Sequence, residues 1–306
     1  MVIIMNSRQL QYVLLLSEEL NFSQVAEQLN ISQPALSKQI MALEKELDVK
    51  LFDRSSIPLT LTPAGKRFVA DAKELLFREE QLKRSMEDFK NEKKGRLEIG
   101  VSPFRCLHFM PIIIKKIREE FPDLQIVLHE TNSSQLHKLA VDGVLDFVIM
   151  NLPVDEALLD IIPLKPERLV LAVPDNLNHL VPECTKNDGD NLPTVDLGKC
   201  EKLPFITVSP QQELRQLFDK LCMTSGLRAE ITTEVIGITS AWGMAKAGVG
   251  ATVIPLQFIK DNPIKDNLNY YLIDSESTLR QPAVITRKGQ HISKYAQSAI
   301  EILKNI

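Results

Sequence analysis

From Pro63 to Lys94 the chain runs for 32 residues with no internal proline, and its one glycine, Gly65, falls in the first turn. Such a run reads as a single helix of about 48 Å, with Thr62 as its cap and Pro63 at its start. Within it Phe68, Ala72, Leu75, Glu79, Leu82, Met86 and Phe89 follow one another at alternating steps of four and three, a heptad seam with one charged member. A helix with one apolar stripe is not stable alone in water. Its partner is either a second copy, the neighbouring domain of the same chain, or a mixture of both. In any of these cases so long a rod divides the chain into two folding regions.

The region before it, residues 1–62, reads as short helices joined by tight turns. Leu10, Val13, Leu14 and Leu16 form a first stripe. Ser23 reads as the cap of a second, short helix whose apolar side is Val25, Ala26 and Leu29. Asn30-Ile31 breaks it, Ser32 can cap a third, and Pro34 is tolerated where first-turn amides lack intrahelical acceptors. Along that third helix Leu36, Ile40, Leu43 and Leu47 share one narrow face, and Pro34, Lys38, Met41 and Lys45 point away, with Gln33 and Ser37 at the border. Arg54-Ser55-Ser56-Ile57-Pro58 then makes a turn between the extended stretches Lys50–Phe52 and Leu59–Thr62, which is a small β-wing.

After Gly95 the texture changes. Strand-like segments (Arg96–Val101, Gln125–Glu130, Phe147–Met150, Arg168–Val173, Phe205–Val208, Ile231–Val235, Ala251–Ile254, Tyr270–Ile273, Ala283–Thr286) alternate with helical ones (Met110–Glu120, Ser134–Asp142, Glu213–Ser225, Thr239–Ala247, Ile292–Asn305). Alternation of this kind implies an α/β fold with largely parallel strands. Roughly 210 residues is generous for one sheet, so two α/β lobes are expected. The polar stretch Glu183–Gly198 reads as an exposed loop.

Composition narrows the function classes. The chain carries 36 Lys+Arg against 40 Asp+Glu, a net charge of −4, and residues 1–94 hold 14 of each sign. No charge block points to nucleic acid, so a DNA-binding reading must rest on motif geometry. Cys106, Cys184, Cys200 and Cys222 show no C-x-x-C and no zinc-like spacing with histidine, and read as reduced, packed thiols. The apolar run Met1–Met5 is too short for a secretory signal, and no stretch approaches the ~20 apolar residues of a membrane span. A cytoplasmic protein is expected. The sequons at Asn21, Asn30 and Asn132 then read as turn and capping chemistry. A purely small-molecule-binding or enzymatic role is the alternative class. Against it, Gly248-x-Gly250 lies between a helix and a strand, the reverse of a dinucleotide fingerprint, and G-x-S-x-G, H-E-x-x-H and P-loop motifs are missing. Neither a cofactor nor a metal is expected.

The run Phe22-Ser23-Gln24-Val25-Ala26, then Ser32-Gln33-Pro34-Ala35-Leu36-Ser37, Leu51-Phe52-Asp53-Arg54 and Leu61-Thr62-Pro63-Ala64-Gly65, resembles the LysR family of bacterial regulators. Leu139–Ile149 and Ala247–Pro255 are weaker echoes of the same family. The resemblance implies a winged helix-turn-helix domain over 1–62, a linker and dimerisation helix over 63–94, and an effector domain over 95–306. That domain would resemble two-lobed periplasmic binding proteins, with lobe I at about 95–164 and 269–306 and lobe II at about 165–268. It also implies double-stranded DNA and a small-molecule effector as partners, with assembly as a homodimer or homotetramer through the linker helix and effector domain. RNA polymerase is a further partner the likeness allows. Many relatives carry a basic residue in the wing where this chain has Ile57, so the wing's charge falls mainly on Arg54. Relatives that sense peroxide use a cysteine pair in the second lobe. Cys222 matches one member and Glu213 stands at the other, so a disulfide switch is not expected.

A recognition helix puts short side chains near the groove floor and cations near phosphate. Gln33 can read an adenine edge, Pro34 and Ala35 can meet a thymine methyl, Ser37 can serve a base or a phosphate, and Lys38 can reach guanine or the backbone. Ser23, Ser32 and Arg54 complete the candidate DNA set, although Arg54 also reads as an ordinary surface charge. In the effector domain three strand-to-helix junctions end in hydroxyl residues: Ser102-Pro103, Thr131-Asn132-Ser133-Ser134 and Thr207-Val208-Ser209-Pro210. Helix N-termini suit a carboxylate or another small anion, so Ser102, Thr131, Ser133 and Thr207 are candidates, with Asn151 and Thr252 beside them. Taken singly, each junction also reads as ordinary helix capping.

Overall fold

The computed structural model describes residues 5–55, 58–90, 95–186, 192–261 and 267–305. It divides into two compact units, Met1–Lys90 and Asn91–Ile306. Expectations for Met1–Ile4, Ile57, residues 91–94, Asn187–Asp190 and the side chain of Phe89 lie outside what is described.

In the first unit α1 (Ser7–Glu19) starts from a capping box, in which Asn6 accepts the Gln9 amide and Gln9 accepts the Asn6 amide. Helix α2 (Phe22–Gln28) packs Val25 and Ala26 against Leu36 and Ile40 of α3 (Gln33–Leu47). Asn21, not Ser23, caps α2: its side chain accepts from the Ser23 and Gln24 amides, which puts Ser23 inside the first turn. Asn30 takes φ +54° in the turn, a conformation asparagine tolerates better than most residues. Two sequon asparagines of this unit therefore serve as cap and turn. Strands β1 (Phe52–Asp53) and β2 (Thr60–Leu61) form the antiparallel wing.

Helix α4 (Pro63–Lys90) follows, and the Thr62 hydroxyl accepts the Gly65 amide at 3.0 Å. A Cβ on Gly65 would lie 2.0 Å from the Leu51 carbonyl oxygen, so only glycine lets the helix start this close to the wing. The heptad seam divides along its length. Phe68 and Val69 pack on the core of the first three helices and Ala72 is buried, whereas Leu75, Leu82 and Met86 stay 50%, 61% and 47% exposed.

The second unit holds two sheets. The first lobe contains β3 (Arg96–Val101), α5 (Pro103–Glu120), β4 (Gln125–Glu130), α6 (Ser133–Asp142), β5 (Phe147–Asn151) and β6 (Leu159–Pro163). The second contains β7 (Glu167–Pro174), β8 (Thr185–Lys186), β9 (Pro193–Val195), β10 (Pro204–Val208), α7 (Glu213–Ser225), β11 (Glu230–Val235), α8 (Ile238–Lys246), β12 (Thr252–Pro255), α9 (Leu256–Asp261) and β13 (Leu268–Ile273). After β14 (Leu279–Arg280) the chain returns to the first lobe through β15 (Pro282–Arg287) and α10 (Lys294–Lys304).

Strand order in the first lobe is β4-β3-β5-β15-β6, and in the second β12-β7-β13-β9-β8 with β10 and β11 paired beside it. The sheets are mixed rather than largely parallel, because β15 runs antiparallel to both β5 and β6, and β7 antiparallel to both β12 and β13. Returning strands can fill a sheet without a helical crossover, a freedom that alternation of elements in the sequence does not report. The lobe boundary also moves. Residues 268–273 complete the second sheet, with Tyr271 opposite Leu171, so the first lobe resumes at Pro282 rather than at 269. Helix α5 begins at Pro103 and not Met110, and it runs through Pro111, which forfeits one backbone hydrogen bond inside the helix.

Candidate nucleic-acid interface and effector cleft

On α3 the stripe Leu36, Ile40 and Leu43 is fully buried and turns the other side outward. Gln33, Pro34, Ala35 and Lys38 are exposed and Ser37 half-buried. The Ser32 hydroxyl accepts the Ala35 amide at 3.3 Å and so acts as the cap, and Ser23 lies exposed at the start of α2. The structure gathers these residues on the N-terminal side of α3, the part of a recognition helix that reaches base edges.

Arg54 is held from three sides. Its Nη1 donates to Ser37 Oγ at 3.2 Å, its Nη2 reaches Glu44 Oε2 at 3.5 Å, and its guanidinium carbon lies 5.0 Å from the Phe22 ring centroid. Behind it Glu44 is 2% exposed, and its Oε1 accepts the Leu51 and Phe52 amides at 2.9 and 3.2 Å. A buried carboxylate thus ties the wing's first strand to α3 and fixes where Arg54 stands. The sequence marks Glu44 only as a charged residue adjoining the apolar stripe, and that signal passes for an ordinary solvated position.

In the second unit a cavity of about 140 Å³ opens between the lobes. Of the effector candidates Ser102, Ser133 and Asn151 line it. Ser102 caps α5, accepting the Arg105 amide at 3.4 Å, but Asn132, the third sequon asparagine, caps α6 in place of Ser133. Thr131, Thr207 and Thr252 are not among the lining residues. Thr131 bonds to Gln135; Thr207 and Thr252 are buried in β10 and β12. Side chains alternate along a strand, so with Val208 facing the cavity its neighbour Thr207 turns away.

Three charged groups that spacing alone did not single out for this site line it, Arg105, Glu213 and Arg280, and a fourth, Glu167, bonds both arginines. The two chain segments passing between the lobes lie side by side, with Arg280 of β14 paired to Glu167 of β7. Glu167 Oε2 accepts from Arg280 Nη2 at 2.5 Å and its Oε1 from Arg105 Nη2 at 3.1 Å. All three side chains are under 9% exposed. Burial works to lower the Arg105 pKa and Glu167 opposes that effect. Arg105 Nη2 also donates to Asn151 Oδ1 at 2.6 Å, and Asn151 Nδ2 donates to Glu213 Oε1 at the start of α7. The partners are 46 to 113 residues apart in sequence.

No cysteine is among the residues that line this cavity. Burial pushes the Cys200 thiol up to about 12 and those of Cys106 and Cys222 to about 11, so all three stay protonated at neutral pH. Among the described residues no group of His, Cys, Asp or Glu is placed to hold a metal, and no helix is long and apolar enough to cross a membrane.

Comparison with known proteins agrees with this arrangement. The family model for the bacterial regulatory helix-turn-helix protein, lysR family, matches residues 7–66, and that for the LysR substrate binding domain matches residues 90–305. The HTH-type transcriptional regulator YcgK of Bacillus subtilis is 28% identical over 306 residues, covering 97% of this chain and 94% of that protein. The DNA-binding transcriptional dual regulator OxyR of Escherichia coli is 29% identical over 296 residues, covering 96% and 94%. In fold, a full-length OxyR variant from Pseudomonas aeruginosa superposes with a TM-score of 0.65 at 22% identity, over 99% of this chain and 95% of that one. The chain therefore belongs to the LysR family: it is a DNA-binding transcriptional regulator with an effector-binding domain, and not an enzyme.

Proposed function

We propose that α3 enters the major groove of operator DNA, with Gln33, Pro34, Ala35, Ser37 and Lys38 facing base edges. Ser23, Ser32 and Arg54 then meet the phosphates. The supporting observation is the exposed N-terminal face of α3 with Arg54 anchored at its flank. Two of Arg54's donors are engaged, and the side chain is 35% exposed, which leaves N–H groups for phosphate. Copies pair through α4 and the effector domain as a dimer or tetramer; Leu75, Leu82 and Met86 form the exposed part of the seam. A regulator of this kind works in the cytoplasm, where RNA polymerase is its natural further partner.

Gln33→Ala is expected to cost about 1–3 kcal/mol on operator DNA and little on random DNA, if it makes a bidentate base contact. Arg54→Ala should instead weaken every sequence alike and flatten the salt dependence by about one unit. Gel shifts on both DNAs at several salt concentrations separate these outcomes, and equal losses on both would remove Gln33 from the base-reading set.

The effector, in the same proposal, is a small carboxylate held in the cavity by Ser102 and Ser133, with Asn151 and the two buried arginines beside them. Arg105 and Arg280 line the cavity, and the Nε of each is a buried donor without an acceptor, a deficit that an anion beside them would relieve. The ligand acts by population shift, favouring one arrangement of the lobes over another. A thermal-shift screen of small carboxylates on the full chain tests this; a ligand at 100 times its Kd adds about 2.7 kcal/mol of stability. Ser102→Ala should weaken that ligand by about 1.5–3 kcal/mol and leave ligand-free operator binding unchanged. Wild-type affinity in both Ser102→Ala and Ser133→Ala would reduce these hydroxyls to structural roles.

A further inference from the structure

The cavity's charges are balanced and separated. Arg105 and Arg280 contribute two positive charges to its wall, and Glu213 contributes a negative one from the opposite lobe. Glu167, bonded to both arginines, contributes the other negative charge, so the set is neutral. A ligand of net charge −1 would leave that charge uncompensated in a largely apolar cavity, which is costly. A ligand of zero net charge would not.

The arrangement is also directional. Buried guanidinium N–H groups without acceptors lie on the α5 and β14 side, together with the cap residue Ser102. Acceptor capacity lies on the α7 side, where Glu213 takes Asn151 on one carboxylate oxygen, and a carboxylate can accept at both of its oxygens. One carboxamide, that of Asn151, spans the two sides by accepting from Arg105 and donating to Glu213. A carboxylate in the first turn of α7 gains from the helix dipole wherever it points, but the dipole does not require it to face a cavity opposite two arginines. Apart from Ser133 and Gln212 the remaining wall is apolar, including Leu136, Ile149, Val208 and Leu214, and Ile236 stands 80% exposed at the lining.

We propose that the ligand of this cleft is a zwitterion of the α-amino-acid class with an apolar side chain. Its carboxylate faces Arg105, Arg280 and Ser102, and its ammonium group faces Glu213. The assignment rests on the carboxylate reading above and adds a second recognised group to it. Glu213 is then the residue that separates amino acids from the corresponding simple acids, because a buried carboxylate left without its cation is penalised.

The test uses the full chain, with the twenty L-amino acids as probes in thermal shift followed by calorimetry. Each binder is compared with its deaminated acid and its decarboxylated amine. At least one apolar amino acid should bind, with both truncated analogues weaker by about tenfold or more, the equivalent of one charged hydrogen bond. Glu213→Gln keeps an acceptor for Asn151, so the cleft retains its shape. It should lower the amino acid's affinity by about tenfold and bring the ratio between amino acid and deaminated acid close to one. A deaminated acid that binds wild type as well as the amino acid does, or a ratio unchanged by Glu213→Gln, overturns the assignment. Binding by simple carboxylates but by none of the twenty amino acids removes the zwitterion and leaves the carboxylate reading standing. If neither class binds, both fall.

Discussion

Glu167→Ala is expected to destabilise the C-terminal unit by about 3–5 kcal/mol, the range for removing one partner of a buried ion pair. Glu167 is the carboxylate that Arg105 and Arg280 share, at 3.1 and 2.5 Å, and all three side chains are buried. Without it two guanidinium groups face each other in a medium that favours neither charge. Arg105→Met should cost less, since Glu167 keeps Arg280. In the Arg105→Met background Glu167→Ala should lose part of its effect, because the two residues act in one network. The chain's one tryptophan, Trp242, packs against Phe258 in the second lobe. Its fluorescence during urea unfolding therefore follows this unit selectively. An unfolding midpoint within experimental error of wild type for Glu167→Ala would mean that the charges are hydrated or neutralised and not paired as described.

The second large effect belongs to the N-terminal unit. Glu44→Ala deprives the Leu51 and Phe52 amides of their carboxylate acceptor in a buried place. With charged hydrogen bonds worth about 1.5–3 kcal/mol each, a loss of about 3 kcal/mol or more is expected. The exposed ends of this cluster, Lys50 at 72% and Arg54 at 35%, add little because solvent screens them. Glu44→Gln retains one acceptor oxygen and should lose markedly less. The change should appear as an earlier far-ultraviolet dichroism transition that Trp242 fluorescence does not share. Operator affinity should fall as well, since Arg54 loses the anchor that sets it beside Ser37. Undiminished stability in Glu44→Ala would show that water or a rearranged wing satisfies those two amides.

The cysteine pair that the family resemblance associates with peroxide sensing is incomplete in this chain, since Glu213 stands at one of its two positions. Glu213 and Cys222 sit nine residues apart on α7, about 14 Å along the helix axis. At that distance the two positions could not be joined without unwinding the helix. The position near Asn151 and Arg105 carries a carboxylate, and burial pushes the Cys222 thiol on the same helix up to about 11.

Local rules carried much of the fold. The step of four, three and four along Leu36, Ile40, Leu43 and Leu47 placed α3 and its outward face. Ser32, Thr62 and Ser102 cap the helices that follow them. These features were legible because the hydrogen-bond needs of a helix end and the 3.6-residue period act within a few residues of sequence. Ser23 and Met110 were misplaced as helix starts for the same local reason. Asn21 and Pro103 are equally good starting residues, and neighbouring candidates compete within less than a turn in the one case and two turns in the other.

What the sequence by itself determined is therefore the two-unit division, the order of most of the longer elements and the helix-turn-helix with its exposed face. Leu159–Pro163, Leu256–Asp261 and the short strands Thr185–Lys186 and Pro193–Val195, inside a stretch that reads as a loop, were not legible. Tertiary structure alone decided which strands share a sheet, where the lobes divide, and which charges meet in the cleft. Residues 268–273 read the same in either lobe until β7 offers them a hydrogen-bonding edge. Arg105, Glu167, Glu213 and Arg280 carry no periodic signal, since a charged side chain in sequence looks solvated until distant partners remove it from water. Their 62- and 113-residue separations put that pairing beyond any local rule, and the energy that holds them exists only once both lobes have formed.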